Sequence, residues 1–207
     1  MMPIFARVAI VMVSSYLIGA IPASFIMGKL VRGIDLREHG SGNLGAANTF
    51  RVLGPGAAIP VLLFDIGKGF VAVWYLSKLG EGNVWIWIAM LAAVMVVIGH
   101  NYSIFLRFSG GKGVGTTAGA FLALAPQALA ICIGIWIVVL LTTRIVSLAS
   151  MIAAVLLPIS ILLSDELFGS TTHALVLTLS ILVAILVIYK HRPNIQRLRE
   201  GKEKKIF

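Results

Sequence analysis

Charge is what this sequence lacks most. Asp, Glu, Lys and Arg make up 12% of its 207 residues, about half the share of an ordinary soluble domain, which is roughly 25%. Acidic groups are scarcest, eight against 17 Lys and Arg. The only aspartates, Asp35, Asp65 and Asp165, lie far apart. That spacing argues against a carboxylate-bound metal and against a magnesium-dependent phosphotransferase, both of which gather oxygen ligands around an ion. No metal and no cofactor are expected. Cysteine occurs once, at Cys132 in an apolar run. An internal disulfide and a cysteine metal site are thereby excluded, and a small packing residue is left.

What is abundant is apolar. Hydrophobic residues make up 59% of the chain, and the mean hydropathy is +1.00. A water-soluble fold of this size has no interior large enough for so much apolar surface, so lipid must solvate much of it. Apolar stretches fall at about 5–30, 54–79, 84–107, 114–141, 145–163 and 172–189. A helix needs roughly 20 residues to cross about 30 Å of hydrocarbon. With Arg7 ahead of it the first stretch has the look of a secretory signal, but Val8 to Leu30 is long enough to span and is expected to stay as the first helix.

Charge then sets the topology. The tail carries Lys190, Arg192, Arg197, Arg199, Lys202, Lys204 and Lys205, and the loop after the first helix carries Lys29, Arg32, Arg37 and Arg51. Both belong on the cytoplasmic side, so an even number of crossings must separate them. The five stretches in between are odd in number, and one must be double. The candidate is 114–141, interrupted near its middle by Pro126, which removes a backbone donor and breaks a helix. The expectation is an all-α integral membrane protein, a single polytopic domain over 1–207. It has seven transmembrane helices, the N-terminus outside and the C-terminus cytoplasmic. Of the 17 Lys and Arg, only Arg7, Lys68 and Lys78 then lie away from the cytoplasmic side. Each half of 114–141 is about 20 Å long at 1.5 Å per residue, which requires a thinned bilayer or a tilted, buried hairpin. The net charge of +9 reads as this inside bias and as contact with anionic headgroups, not as nucleic-acid binding.

Two glycine-rich interruptions, 39–48 and 109–117, fall on the same side as the tail. Glycine allows positive φ and lets backbone N–H groups approach an anion closely. A glycine-rich loop that runs into a helix N-terminus is a phosphate cradle. Gly110, Gly111 and Gly113 surround Lys112 ahead of a helical run from Val114, and Thr116 and Thr117 add hydroxyls. A Walker loop is excluded, because Ser or Thr must follow its lysine and here Gly113 does. In the first loop Gly40 and Gly42 flank Ser41. Ser41, Asn43 and Asn48 suit phosphate or hydroxyl oxygens, and Arg51 suits bidentate phosphate contact. Taken singly, each loop has a plainer reading, a cationic turn at lipid headgroups or a polar loop with a helix cap. Asp65 and Lys68 lie inside a span, where ionisable groups are costly. Their i,i+3 spacing puts them on one helix face and reads as a structural ion pair near the site. His100 and His191 are candidate proton acceptors, a satisfied hydrogen bond being the commoner role of a lone histidine. His173 falls on the outer side, and His39 has no stronger claim than its neighbours.

Three ordered motifs carry a resemblance. They are Gly40–Arg51 with Leu53 and Gly54; Gly99–Tyr102 with Gly110–Gly113; and His191–Ile195 with Arg197 and Gly201–Glu203. Asp65–Gly69 and Ser147–Ser150 agree as well. Over essentially its whole length the chain resembles the acyl-phosphate-dependent glycerol-3-phosphate acyltransferase family of bacterial membranes. It departs from the family pattern at Ala47, Gly115 and Pro193. The resemblance implies seven transmembrane helices in the bacterial inner membrane with the active site facing the cytoplasm. It implies transfer of a fatty acyl group from acyl phosphate to the 1-hydroxyl of glycerol 3-phosphate. The products are lysophosphatidic acid and phosphate, in the first acylation of phospholipid synthesis. The implied partners are these two substrates and membrane lipid.

Carried onto this sequence, the resemblance makes Ser41, Arg51, Lys112, His191 and Asn194 catalytic. Substrate binding falls to Gly40, Gly42, Asn43, Asn48, His100, Gly110, Gly111, Gly113, Thr116, Ser150, Arg197 and Glu203. Three proton acceptors stand open: His191, His100 and a substrate phosphate oxygen. Acyltransferases that use thioesters carry His followed by Asp five positions on; here Leu44, Phe105, Thr178 and Gln196 occupy those positions. The rival reading is a transporter of a phosphorylated solute. It calls for two matched halves with discontinuous helices near the midplane, and the sequence shows no such repeat.

Overall fold

The computed structural model describes residues 2–170 and 172–206, and their regular structure is helical apart from one isolated bridge between Ser103 and Ser109. Along the chain come α1 (Ile4–Ala20), α2 (Ala23–Arg32), α3 (Ala46–Leu53), α4 (Pro55–Leu76), α5 (Trp85–Asn101), α6 (Val114–Leu124), α7 (Pro126–Thr143), α8 (Val146–Phe168), α9 (Ala174–Lys190) and α10 (Arg192–Arg199). Five helical segments are long and apolar enough to cross a bilayer: Ile4–Arg32, Pro55–Leu79, Gly82–Asn101, Pro126–Thr143 and Val146–Phe168. A sixth is the pair α9 and α10, bent by 58°, and α6 is a shorter apolar helix.

Prolines set two breaks. The 114–141 stretch divides where Pro126 predicts. Ala125 leaves the helical region (φ −152°, ψ 69°), and Pro126 opens α7, the position where its missing N–H costs least. The first stretch is also broken, although a continuous helix is expected there. Pro22 forces Ile21 out of the helical region (ψ 116°) and frees the Ile21 carbonyl, which accepts a hydrogen bond from Lys68 Nζ at 3.1 Å. The 84–107 stretch ends its helix at Asn101; beyond it the backbone turns so that Leu106 packs with Leu36 and Leu44.

The chain forms two compact units, Met1–Leu124 and Ala125–Phe207. In the first, α1 packs on α5 and α4 on α6 through glycines that bring backbones together. Gly19 lies against Val96, Gly99 against Tyr16, Gly69 against Thr116 and Gly119 against Ile66, each facing main-chain atoms where no Cβ fits. Small residues do this work in lipid, where apolar burial supplies no net drive between helices. Gly119→Val is expected to cost about 1–3 kcal/mol from overpacking, read as a lower unfolding midpoint in detergent. Gly134→Ala, which meets nothing within 4 Å, is the control and should hold or slightly raise the midpoint, because alanine is the better helix former. In the second unit α8 packs on α7 and α9. There Cys132 is buried, with Sγ 3.3 Å from Ser160 Oγ, a packing role.

Candidate active site

The first glycine loop is built around one amide. Asn48, 1% exposed, accepts the Ser41 N–H at 2.7 Å through Oδ1 and donates through Nδ2 to the carbonyls of Leu36 (3.1 Å) and His39 (3.0 Å). Its amide is spent on shaping the loop. Gly40 and Gly42 both sit at positive φ, 67° and 70°, and a Cβ on Gly40 would strike the Asn48 side chain. Ser24 donates to Thr49 Oγ1 at 2.8 Å, and Thr49 Oγ1 donates to the Gly45 carbonyl at 3.1 Å; these bonds pin α3 to α2. The result leaves Gly40, Ser41 and Gly42 exposed, Asn43 half-buried, and Arg51 half-buried in the last turn of α3.

The second loop grows from the end of α5. Ser103 Oγ donates to the Ala20 carbonyl at 2.6 Å and Tyr16 Oη to the Tyr102 carbonyl at 2.8 Å, so residues 102–109 are tied to α1. Gly111 N–H bonds the His100 carbonyl at 3.1 Å. Side chains at Gly110 or Gly111 have no room: the first would meet the His100–Asn101 backbone, the second the His100 ring and the Leu44 carbonyl. The two glycine loops therefore meet at Leu44 and Gly111. Gly113 (φ 81°) turns the chain into α6, where its carbonyl accepts the Thr117 N–H at 2.7 Å. Lys112 stands half-buried in this turn, and Thr116 is fully buried. Sequence reasoning gave no role to Asn101, which is 1% exposed and lies beside Gly113. Its signals were an amide at the end of an apolar run and a place in the Gly99–Tyr102 motif.

Asp65 and Lys68 form the ion pair expected from their spacing, at 2.7 Å, with side chains 7% and 3% exposed. His100 Nδ1 lies 3.4 Å from the same Asp65 oxygen.

In the second unit the tail folds back. Gly201 turns at φ 65°, and Lys202 N–H bonds the Arg197 carbonyl at 2.7 Å. Glu203 then lands with its side chain 2% exposed. Its Oε1 accepts from Ser147 Oγ (2.8 Å) and Asn194 Nδ2 (2.6 Å), and its Oε2 accepts from Arg197 Nε (2.7 Å). Burial pushes this carboxyl up, but the donors from Arg197, Asn194 and Ser147 outweigh it and hold the group below the usual glutamate range. Farther on, Ile206 N–H bonds the Arg144 carbonyl at 2.8 Å. The Glu203 carboxylate is thus engaged by protein groups, and it orients the Asn194 amide. Ser147, which sequence reasoning did not single out as a site residue, completes the cluster. Ser150 is buried and accepts from Trp136 Nε1 at 3.2 Å. His191, 3% exposed, has Nδ1 2.8 Å from the Val187 carbonyl. A carbonyl only accepts, so Nδ1 carries the proton and Nε2 is the basic nitrogen of the neutral ring.

Set beside known proteins, the chain matches a family model described as glycerol-3-phosphate acyltransferase over residues 9–201. A glycerol-3-phosphate acyltransferase of Halalkalibacterium halodurans is 42% identical over 200 residues, covering 95% of this chain and 94% of that protein. Glycerol-3-phosphate acyltransferase 2 of Moorella thermoacetica is 43% identical over 195 residues, covering 94% and 95%. Among solved structures, the glycerol 3-phosphate form of PlsY (YgiH), an integral membrane glycerol 3-phosphate acyltransferase, superposes with a TM-score of 0.83 at 36% identity. It covers 96% of this chain and 94% of that one. The lysophosphatidic acid form of PlsY superposes with a TM-score of 0.82 at 33% identity.

Proposed function

The chain belongs to the glycerol-3-phosphate acyltransferase family, and from that premise we propose that its acyl donor is an acyl phosphate. It is an integral membrane, multi-pass glycerol-3-phosphate acyltransferase that makes lysophosphatidic acid. In the proposed reaction the 1-hydroxyl of glycerol 3-phosphate attacks the acyl carbon of the mixed anhydride. The C–O bond to phosphate breaks and inorganic phosphate leaves. An acyl phosphate is already activated, so no protein nucleophile is required. Lys112, Arg51 and amides of the two glycine loops other than those of Ser41, Gly42 and Gly111, which bond within the fold, hold the phosphates of the two substrates. Holding both reactants in register supplies most of the rate through proximity, and the same cations stabilise charge growing on the leaving phosphate. Ser41 orients glycerol 3-phosphate, and a substrate phosphate oxygen accepts the hydroxyl proton; the His100 ring faces Asp65 and Gly111.

The proposed topology has seven crossings, the N-terminus outside and the site facing the cytoplasm. It takes the five long segments, α9 and the short α6 as spans, and it rests on the cations of the tail and of the loop after α2. The observation that carries the reading of the site is the meeting of the two glycine loops at Leu44 and Gly111, which puts the backbone around Ser41 and Lys112 in one unit.

The test uses detergent-solubilised protein with palmitoyl phosphate and glycerol 3-phosphate. Phosphate is expected to appear only when both are present. Equal acylation when palmitoyl-CoA replaces palmitoyl phosphate would remove the donor assignment.

A further inference from the structure

Three ionisable side chains lie buried in the first unit and take no part in the proposed chemistry. Asp65 on α4 pairs with Lys68 at 2.7 Å and also faces His100 Nδ1 at 3.4 Å, and all three side chains are at most 7% exposed. Lys68 further donates to the carbonyl that Pro22 frees at Ile21, at 3.1 Å. A buried ion pair is a weak source of stability, because desolvation cancels much of its attraction. Stability alone is therefore a poor reason for this network.

The other edge of the imidazole offers a better one. Nε2 occupies the space a side chain on Gly111 would need, and the Gly111 N–H is bonded to the His100 carbonyl. The ring is the floor beneath Gly111, and Asp65 lies 3.4 Å from its Nδ1 on the other edge. The surroundings of the loop are polar: Ser24, Asp65, Lys68, His100, Ser109 and Gly111 line a recess of only about 10 Å³, about the room for one water. The backbone there rests on a polar strut, not on a full apolar core.

We propose that Asp65 and His100 are positioning residues for glycerol 3-phosphate. Charge-balanced by Lys68, they hold Gly110–Gly113, whose Gly111 N–H is itself bonded to the His100 carbonyl, in the shape that presents the loop's other amides to a phosphate. The inference rests on reading that loop as the phosphate cradle. Neither residue touches a reacting atom; both act through the backbone of Gly111. Loss of the strut therefore weakens binding of substrate and of transition state alike, the pattern that raises KM and spares kcat.

Steady-state kinetics with saturating palmitoyl phosphate and varied glycerol 3-phosphate tests this on the purified full chain. His100→Phe keeps a ring and loses the contact to Asp65. It is expected to raise KM for glycerol 3-phosphate about tenfold with kcat within about threefold. Asp65→Asn alone strands Lys68 without its counter-charge and is a poor probe. Asp65→Asn combined with Lys68→Met removes both charges and should keep the parent's unfolding midpoint within a few degrees. The raised KM is expected to persist in that double variant. A purely structural network would recover both the midpoint and the KM there, and that result overturns the proposal. So does a KM within about twofold of the parent in both variants, or a loss confined to kcat. If the double variant does not fold, His100→Phe decides. A parent protein that releases no phosphate with both substrates instead fails the cradle reading, a result separate from any variant.

Discussion

Alanine at Lys112 is expected to lower kcat/KM by about 10²–10³-fold, the usual cost of removing one preorganised donor from developing charge in a water-poor site. Lys112 is half-buried in a turn whose glycines leave room only for backbone. Its charge is therefore held beside the loop amides. Arg51→Ala should produce a loss of similar size. Arg51→Lys should not rescue it, because a point charge does not reproduce two parallel N–H contacts to phosphate. Phosphate release from palmitoyl phosphate and glycerol 3-phosphate reads both effects. Near-normal turnover in both alanine variants would rule out the cation clamp. Unfolding midpoints should stay close to the parent, since the proposed role lies in binding charge on the substrates.

The second large effect is on stability. Glu203→Ala removes the acceptor for Ser147, Asn194 and Arg197 in one step. Breaking a buried charged pair by removing one partner costs about 3–5 kcal/mol. Because the Arg197 side chain is 36% exposed and water compensates part of its loss, about 3 kcal/mol is expected. Glu203→Gln keeps one oxygen acceptor and should lose less. The pH dependence has a definite sign. The folded-state value of Glu203 is lowered, so its stabilisation is complete above the ordinary glutamate value of about 4.3. It is lost as pH falls through the lower folded-state value. Unfolding midpoints measured in detergent from pH 6 downward should drop in the parent below about pH 4. Glu203→Gln should lack that component. Parallel acid profiles would show that Glu203 does not hold the tail by charge.

Much of this architecture was legible in the order of the residues. Apolar runs of spanning length located the long helices, Pro126 marked the break between α6 and α7, and the i,i+3 spacing of Asp65 and Lys68 foretold their ion pair. The glycines at 110, 111 and 113 announced a loop in which backbone approaches something closely. Other features were not legible. Pro22 breaks the first helix, yet nothing near it in sequence says that Lys68, 47 residues away, takes the released carbonyl. Asn48 read as a donor for substrate, and its amide is occupied by the turn from Leu36 to Ser41. Glu203 read as a binding residue, and its carboxylate is clamped by three side chains, one of them 56 positions earlier.

Hydrophobic length, proline and glycine act within a few residues of themselves, so the sequence alone determined that this is a helical membrane protein with flexible, cation-bearing breaks. A buried polar group accepts any partner of the right chemistry that packing brings within about 3 Å. Which amide, hydroxyl or guanidinium meets which carboxylate was therefore decided only when distant helices packed. That is why the clamp on Glu203 and the floor beneath Gly111 belong to the tertiary structure.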